Sequence, residues 1–300
     1  DEIETLLNRD LPEEERIPLI EKFQKMYETM DFYVLYNRFL KKEGYQTLPR
    51  RPLEKRKLRY EDVYPVLYLK YRLSRQAERS NIKHLVIDEM QDYSRLQYLI
   101  IRRMFSCKMT ILGDRAQTMA DQQQDVLQFL PGIFGKDLRR IEMRKSYRNT
   151  VEIASYAANL IGVTDLELFE RHGMPVLERD VTDLEAALRE AVDTLFSDEK
   201  TYETAAVIVP DEKTAERTYL ILREILAEKD FDCGKRLSLL NRDSSSFKKG
   251  LTVTTFYLAK GLEFDQVFSI FPKEEKREMM MQAQYIAATR ALHELRVYHI

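Results

Sequence analysis

The sequence is poor in the residues that usually announce a site: it has no tryptophan, two cysteines and nine glycines in 300 residues. Cys107 and Cys233 stand far apart without a CxxC neighbour, a spacing that argues against a disulfide framework or a cysteine zinc site and suits a reducing, cytoplasmic compartment. Both read as packing residues. The glycines fall at 44, 113, 132, 135, 162, 173, 234, 250 and 261, and no combination of them fits GxxxxGK[ST] or GxGxxG, so the sequence holds no phosphate-cradling loop of its own. Nine prolines, with no Ser- or Gly-rich tract, argue against disorder and long flexible linkers. No apolar run has the length of a membrane span, so no membrane partner is expected. Lys+Arg 48 against Asp+Glu 50 leaves a net charge of -2; with no global positive field, any surface for nucleic acid has to be local. The opening Asp1-Glu2-Ile3-Glu4 has no initiator Met, basic flank or apolar stretch, and reads as an excised piece rather than a signal or transit peptide.

What is present, 44% hydrophobic and 33% charged residues, suffices for one large domain or two ordinary ones, each with a core. From Ile3 to about Arg79 the pattern is charged and helical. Ile17, Ile20, Phe23, Met26 and Met30 recur at three- and four-residue steps, and a second apolar set, Tyr33, Leu35, Tyr36, Phe39 and Leu40, follows. Between the helices, Gly44 to Arg59 carries Pro49, Pro52 and a basic run of Arg50, Arg51, Lys55, Arg56, Lys57 and Arg59. That run suits either a solvated loop or a phosphate-contacting patch. Tyr64 to Leu73 reads as a core helix.

At Ile82 the period changes. His84 to Ile87 is a short apolar run ending in Asp88-Glu89, a helical stretch covers Tyr93 to Phe105, and Met109 to Leu112 ends at Gly113-Asp114. Two short strands joined by a helix form a βαβ unit of a parallel sheet, with both acidic tips on its carboxyl edge, where ligand chemistry sits in such sheets. Further alternation follows: a helix over Val151 to Ile161, Val176-Leu177, a helix over Asp183 to Phe196, a strand over Ala205 to Val209 and a helix over Asp211 to Ala227. Strands near Leu251 to Thr255 and Val267 to Ile270, a helix from about Glu274 to Leu292 and a terminal strand Leu295 to Tyr298 complete a second α/β unit.

Ile87-Asp88-Glu89-Met90-Gln91-Asp92 sets two carboxylates at a strand end. Nucleotide hydrolysis needs that pair, one to hold Mg²⁺ and the next to orient and deprotonate water; acidic residues there suit equally the start of a helix. After the second strand, Gln117 in Leu112-Gly113-Asp114-Arg115-Ala116-Gln117 offers an amide that can sense a γ-phosphate without adding charge. Arg148 in Ser146-Tyr147-Arg148-Asn149, and Arg290 in Ala287-Ala288-Thr289-Arg290-Ala291, present forks able to stabilise a transferring phosphoryl group or to form ordinary surface ion pairs. In Thr254-Thr255-Phe256-Tyr257-Leu258-Ala259-Lys260-Gly261-Leu262-Glu263-Phe264-Asp265 a strand gives way to a glycine turn with a buried acid, a place for contacts to a ribose or a nucleic-acid strand.

In this order the blocks resemble the motifs of superfamily 1 helicases of the UvrD/Rep type. DEMQD resembles their Walker B motif, LGDRAQ the GDxxQ motif, KSYRN the YR motif, TTFYLAKGLEF the TxHxxKGLEF motif and YIAATRA the VAxTRA motif, over roughly residues 80 to 300. More narrowly, Leu58-Arg59-Tyr60-Glu61-Asp62 through Leu67-Tyr68-Leu69-Lys70, with the short interval between Gly162 and Gly250, resembles the helicase IV/HelD branch.

The resemblance implies an α/β fold of RecA-like parallel-sheet domains: part of a first over 81–141 and a near-complete second over 142–300, preceded by a helical segment, 1–80, that ends an insertion in the first. It implies ATP and Mg²⁺ as cofactors. Asp88 would bind Mg²⁺, Glu89 would be the general base, Gln117 would sense the γ-phosphate, and Arg148 and Arg290 would stabilise it during transfer. Gly261 and Glu263 would lie by the nucleotide sugar, and Thr255 with Tyr257 near the nucleic acid. In such motors ATP closes a cleft between two RecA-like domains and steps the protein along a strand. The implied partners are single-stranded DNA, an upstream part of the same protein that supplies the phosphate loop, and, through the HelD branch, RNA polymerase. Without that loop this chain alone is expected to be inactive. The sequence departs from the family at Tyr257, where the motif has histidine, and at Ser146, where it has asparagine. After Gln117 it reads Thr118-Met119-Ala120-Asp121-Gln122 in place of an aromatic stretch whose tryptophan stacks on a base.

Overall fold

The computed structural model describes residues 9–25, 29, 31–73, 81–114, 117, 126–135, 138–163, 167–197, 202–229, 232–242, 244, 249–273 and 278–300. The chain divides into two compact units, Asp1–Leu112 with Val126–Asp137, and Gly113–Asp125 with Leu138–Ile300.

In the first unit, helix α1 (Glu13–Lys25) opens on three glutamates, which suit the positive end of the helix dipole. Ile17 and Ile20 on it are about half exposed, so this part of the apolar stripe read from the sequence is not buried; the side chains of Phe23, Met26 and Met30 lie outside the described residues. Helix α2 (Phe32–Lys42) starts where the Asp31 side chain accepts the N–H groups of Tyr33 and Val34, and it buries Tyr33, Tyr36 and Leu40 with Leu48. Helix α3 (Tyr60–Leu73) covers the stretch expected to be a core helix, yet most of it is only half buried. Its buried residue is Asp62, which accepts hydrogen bonds from Tyr36 Oη at 2.9 Å and Arg59 Nε at 2.8 Å. Burial and this carboxylate push the Tyr36 phenol up to about 12.

Strand β1 (His84–Ile87), helix α4 (Arg95–Met104) and strand β2 (Lys108–Ile111) form the expected parallel βαβ unit, with Ile87 opposite Ile111. Helix α4 begins at Ser94 with a capping box to Gln97. Helix α5 (Val126–Phe134) completes a small core in which Tyr98, with no exposed surface, packs against Phe129 and Phe134.

The second unit opens with β3 (Lys145–Ser146), α6 (Val151–Leu160) and β4 (Glu167–Leu168). It continues through β5 (Leu177–Asp180), α7 (Leu184–Ser197), β6 (Thr204–Val209), α8 (Glu212–Ala227), α9 (Cys233–Arg236), β7 (Leu237–Leu239), β8 (Gly250–Thr255), β9 (Phe264–Phe271), α10 (Glu278–Ala288) and β10 (Ala291–His299). Six strands form one parallel sheet in the order β5-β10-β9-β6-β8-β7, and β3 and β4 pair separately. Strand periodicity assigns the faces. Ala205, Val207 and Val209 meet Leu188, Val192 and Leu222 of α7 and α8, while Ala206 and Ile208 join Ile153 and Ala157 of α6 and Ile286 of α10. A strand apolar at every position is what a sheet covered on both faces requires.

The strands outrun their sequence expectations. The last begins at Ala291, inside the stretch expected to be helical to Leu292, because Ala291 pairs with Phe264 and each backbone gains a ladder partner there. Strands β3, β4 and β7 were not anticipated; at two or three residues each they carry too little periodicity to register.

Candidate functional site

In the first unit, Asp88 and Glu89 leave the carboxyl end of β1. Asp88 is exposed, and its Oδ1 accepts the Glu89 backbone N–H at 2.8 Å. Glu89 adopts φ 52°, ψ 50°, and among the described residues it alone of the non-glycines has a positive φ. A side chain in that region costs on the order of 1–2 kcal/mol, so its surroundings have to hold it. They do: Gln91 Nε2 donates to Glu89 Oε2 at 2.6 Å, the Met90 N–H donates to the Leu112 carbonyl at 2.8 Å, and Tyr98 Oη donates to the Met90 carbonyl at 3.0 Å. The acidic pair does not cap a helix. Helix α4 takes its cap from Ser94, and Glu89 makes no capping bond to the 3₁₀ turn Met90–Asp92.

In the second unit, Arg290 stands between α10 and β10 with 1% of its surface exposed, which rules out an ordinary surface ion pair. Its Nε donates to the Ile286 carbonyl at 3.1 Å, Nη1 to the Leu262 carbonyl at 3.4 Å, and Nη2 to Thr289 Oγ1 at 3.1 Å and Gln117 Oε1 at 3.3 Å. The Gln117 Nε2 donates in turn to Asp114 Oδ2 at 2.9 Å, and Tyr285 Oη donates to the same oxygen at 3.2 Å. Burial, reinforced by Asp114, pushes the Tyr285 phenol well above its ordinary range. An amide is the side chain that can do this, donating to a carboxylate with one end and accepting from a guanidinium with the other.

Around Arg290 the backbone is pinned. Asn149, buried, donates through Nδ2 to the carbonyls of Thr289 at 3.2 Å and Ala291 at 2.6 Å. Arg171 Nη2 donates to the Leu292 carbonyl at 2.9 Å and to the Arg148 carbonyl. Arg148 itself pairs with Glu263, Nε to Oε1 at 2.6 Å, with both side chains more than 40% exposed. The acid expected to be buried in this turn is therefore at the surface, because residue 263 lies before the strand and Phe264 is the one that enters the core. Gly261 turns the chain at φ 80°.

Residues 256–263 return along one face of the sheet, from the carboxyl end of β8 to the amino end of β9. Thr255 at the former is fully buried and its Oγ1 accepts the Leu258 N–H at 3.4 Å; Tyr257 is half buried, edge-on to Phe256 at 5.3 Å. The second unit thus brings Gln117, Arg148, Glu263 and Arg290 toward the amino ends of β9 and β10 and leaves Thr255 at the opposite edge, whereas the strand-end rule used on the sequence points to carboxyl edges. Asp114, Asn149 and Tyr285 lie inside blocks that the sequence already singled out; Arg171 lies in none and carries no sequence signal.

Chemically, a buried guanidinium presents a planar fork of donors whose geometry phosphate fits. Among the described residues no group of three or more His, Cys, Asp or Glu side chains could hold a metal ion by itself. At the end of β1, Asp88 and Glu89 are carboxylates of the kind through which Mg²⁺ is bound together with a substrate's own phosphates.

Two family models match the chain: "UvrD/REP helicase N-terminal domain" over residues 2–119 and "UvrD-like helicase C-terminal domain" over residues 250–298. The chain is therefore similar to UvrD/Rep-type helicases toward both ends. Among solved structures it is similar to the C-terminal domain of a possible DNA helicase from Lactobacillus plantarum WCFS1, at 25% identity and TM-score 0.40, covering 52% of this chain and 88% of that one. It is also similar to the PRRSV helicase, at 16% identity and TM-score 0.39, covering 72% of this chain and 35% of that one. An arterivirus nonstructural protein 10 helicase in complex with DNA matches at 16% identity and TM-score 0.39, covering 72% and 39%. No curated protein matches the chain.

Proposed function

We propose that this chain is the C-terminal portion of an ATP-dependent UvrD-like helicase or translocase that couples ATP hydrolysis to movement on single-stranded nucleic acid. What supports the reading most is the contact of Arg290 with Gln117, 173 residues apart, since the family resemblance assigns both to the γ-phosphate. Bound MgATP supplies the phosphoanhydride that is broken. Asp88 holds the metal, and Glu89 takes the proton of the attacking water. Gln117 reports the γ-phosphate to Asp114 and Tyr285 through its amide. Arg290 and Arg148 neutralise charge that grows on the transferring phosphoryl group, Gly261 and Glu263 lie by the sugar, and the turn that Thr255 and Tyr257 form lies near the nucleic acid. In this reading residues 1–80 end an insertion, 81–141 belong to a first RecA-like domain and 142–300 to a second. An upstream phosphate loop is required, the isolated chain is inactive, and the protein works in the cytoplasm.

Glu89→Gln in the full-length protein keeps ATP binding and lowers turnover at least ~10²-fold through loss of a general base; near-normal turnover overturns the assignment. The same full-length protein distinguishes a HelD-like ATPase that remodels RNA polymerase, which predicts polymerase capture without strand displacement.

A further inference from the structure

The basic run between α2 and α3 plays no part in the ATP chemistry and belongs to the first unit. From Arg38 to Arg59 there are nine Lys and Arg against two carboxylates, Glu43 and Glu54, in a chain whose net charge is -2. Its cations divide into two kinds. Arg56 is structural: its guanidinium grips Asp31 with two hydrogen bonds, at 2.9 and 2.7 Å, and lies over the Tyr33 ring at 4.7 Å. Arg59 is likewise bound to Asp62 and Glu61. Arg50, Arg51, Lys55 and Lys57 are exposed, and among the described residues they take no ion-pair partner.

The loop that carries these four is fastened. Asn37 exchanges two hydrogen bonds with the backbone of Leu48, at 3.2 and 2.7 Å; Tyr33 Oη donates to the Pro49 carbonyl at 2.8 Å; and Arg56 closes the far end on Asp31. Pro49 and Pro52 stiffen it further. Four cations are therefore displayed from a segment anchored to one helix, and ordering them on a ligand costs less backbone entropy than it would from a free loop. Large exposed side chains border them: Tyr45 is 65% exposed, Leu53 73% and Tyr60 77%. Four cations flanked in sequence by two exposed tyrosines, Tyr45 and Tyr60, the latter edge-on to Tyr64 at 5.8 Å, suit a phosphodiester backbone with unstacked bases better than an acidic protein surface, which would offer the rings nothing to stack on.

We propose that the Arg50–Lys57 loop is a nucleic-acid contact surface that binds the phosphodiester backbone through Arg50, Arg51, Lys55 and Lys57, without sequence preference. It does not depend on the ATP reading, whose residues lie elsewhere in the sequence. The test is equilibrium binding of the full-length protein, without nucleotide, to fluorescent single-stranded and duplex oligonucleotides over a salt series. The variant Arg50→Ala/Arg51→Ala/Lys55→Ala/Lys57→Ala lowers the slope of log K against log [salt] by about 3 on single strands or about 4 on duplex, and affinity falls at least ~10-fold. Whichever substrate loses more identifies the natural one. The control is Lys213→Ala/Arg217→Ala/Arg223→Ala on the exposed face of α8, which removes comparable charge from the second unit and leaves the slope nearly unchanged; Arg50→Lys/Arg51→Lys keeps wild-type binding. A quadruple variant that behaves like the α8 control overturns the proposal. So does one that retains nucleic-acid binding but loses capture of RNA polymerase, which would make the loop a protein contact. ATP turnover of Glu89→Gln judges the catalytic reading separately.

Discussion

The hydrogen-bond network around Arg290 depends on a few side chains whose type cannot be varied. Gln117 must donate to Asp114 and accept from Arg290 at once. Gln117→Glu keeps the shape but loses the donor and sets two carboxylates against each other, so thermal or denaturant unfolding should show a loss of about 1–3 kcal/mol; unchanged stability would mean that the bridge carries no weight. Asn149→Ala leaves the carbonyls of Thr289 and Ala291 without their buried donor and should cost a similar ~1–3 kcal/mol. In the full-length protein it should also lower turnover, because Arg290 stands between those two carbonyls. Arg290→Ala should reduce turnover through lost transition-state stabilisation while ATP still binds, measured by steady-state hydrolysis beside a nucleotide-binding assay. At this scale the sequence was legible wherever a residue fell inside a recognisable block. Arg290, Gln117 and the Asp88-Glu89 pair could be picked out as candidates; the burial of Arg290, the surface position of Glu263 and the existence of Arg171 as a brace could not, because they depend on where β9 begins and on tertiary contacts such as those of Arg290 with Gln117 and Arg171 with Leu292.

Among the elements, the central strands were the most readable, since a run apolar at every position has few places to go except a sheet covered on both faces. The boundaries were less so. Residue 250 shows what fixes one: it has φ 116°, and a Cβ there would overlap the Arg236 carbonyl. Gly250→Ala therefore combines strain with a backbone clash and should destabilise the protein by at least ~2 kcal/mol. Gly261→Ala, at φ 80° with open space around it, should cost only about 1 kcal/mol. Thermal denaturation of both variants checks the order. In α1 the helical period read from the sequence agrees with the structure, and Ile17 and Ile20 of its apolar set are about half exposed. A repeat of apolar residues sets which side of a helix is greasy; it does not supply the surface that covers it.

Over the whole molecule, charge is balanced in sum and uneven in place, as the basic loop of the first unit shows. The second unit is tied by carboxylates, among them Glu152. Burial alone would raise its pKa, but the His172 ring at 2.9 Å and the Gly173 N–H at 2.8 Å hold the carboxyl down to about 2. A depressed folded pKa stabilises above the ordinary carboxylate value and is lost as pH falls toward the folded one. The stability of the wild type against unfolding should therefore fall between pH about 4.5 and 2, and Glu152→Gln should flatten part of that fall. The sequence by itself determined the α/β class and the parallel arrangement, and it singled out the residues proposed for the ATP site, because strand periodicity and side-chain chemistry are local properties. The tertiary structure decided which groups meet, which arginine is buried and which paired at the surface, and at which edge of the second sheet they gather. Those follow from contacts between residues distant in sequence, and burial and hydrogen-bond partnership exist only once such contacts are made.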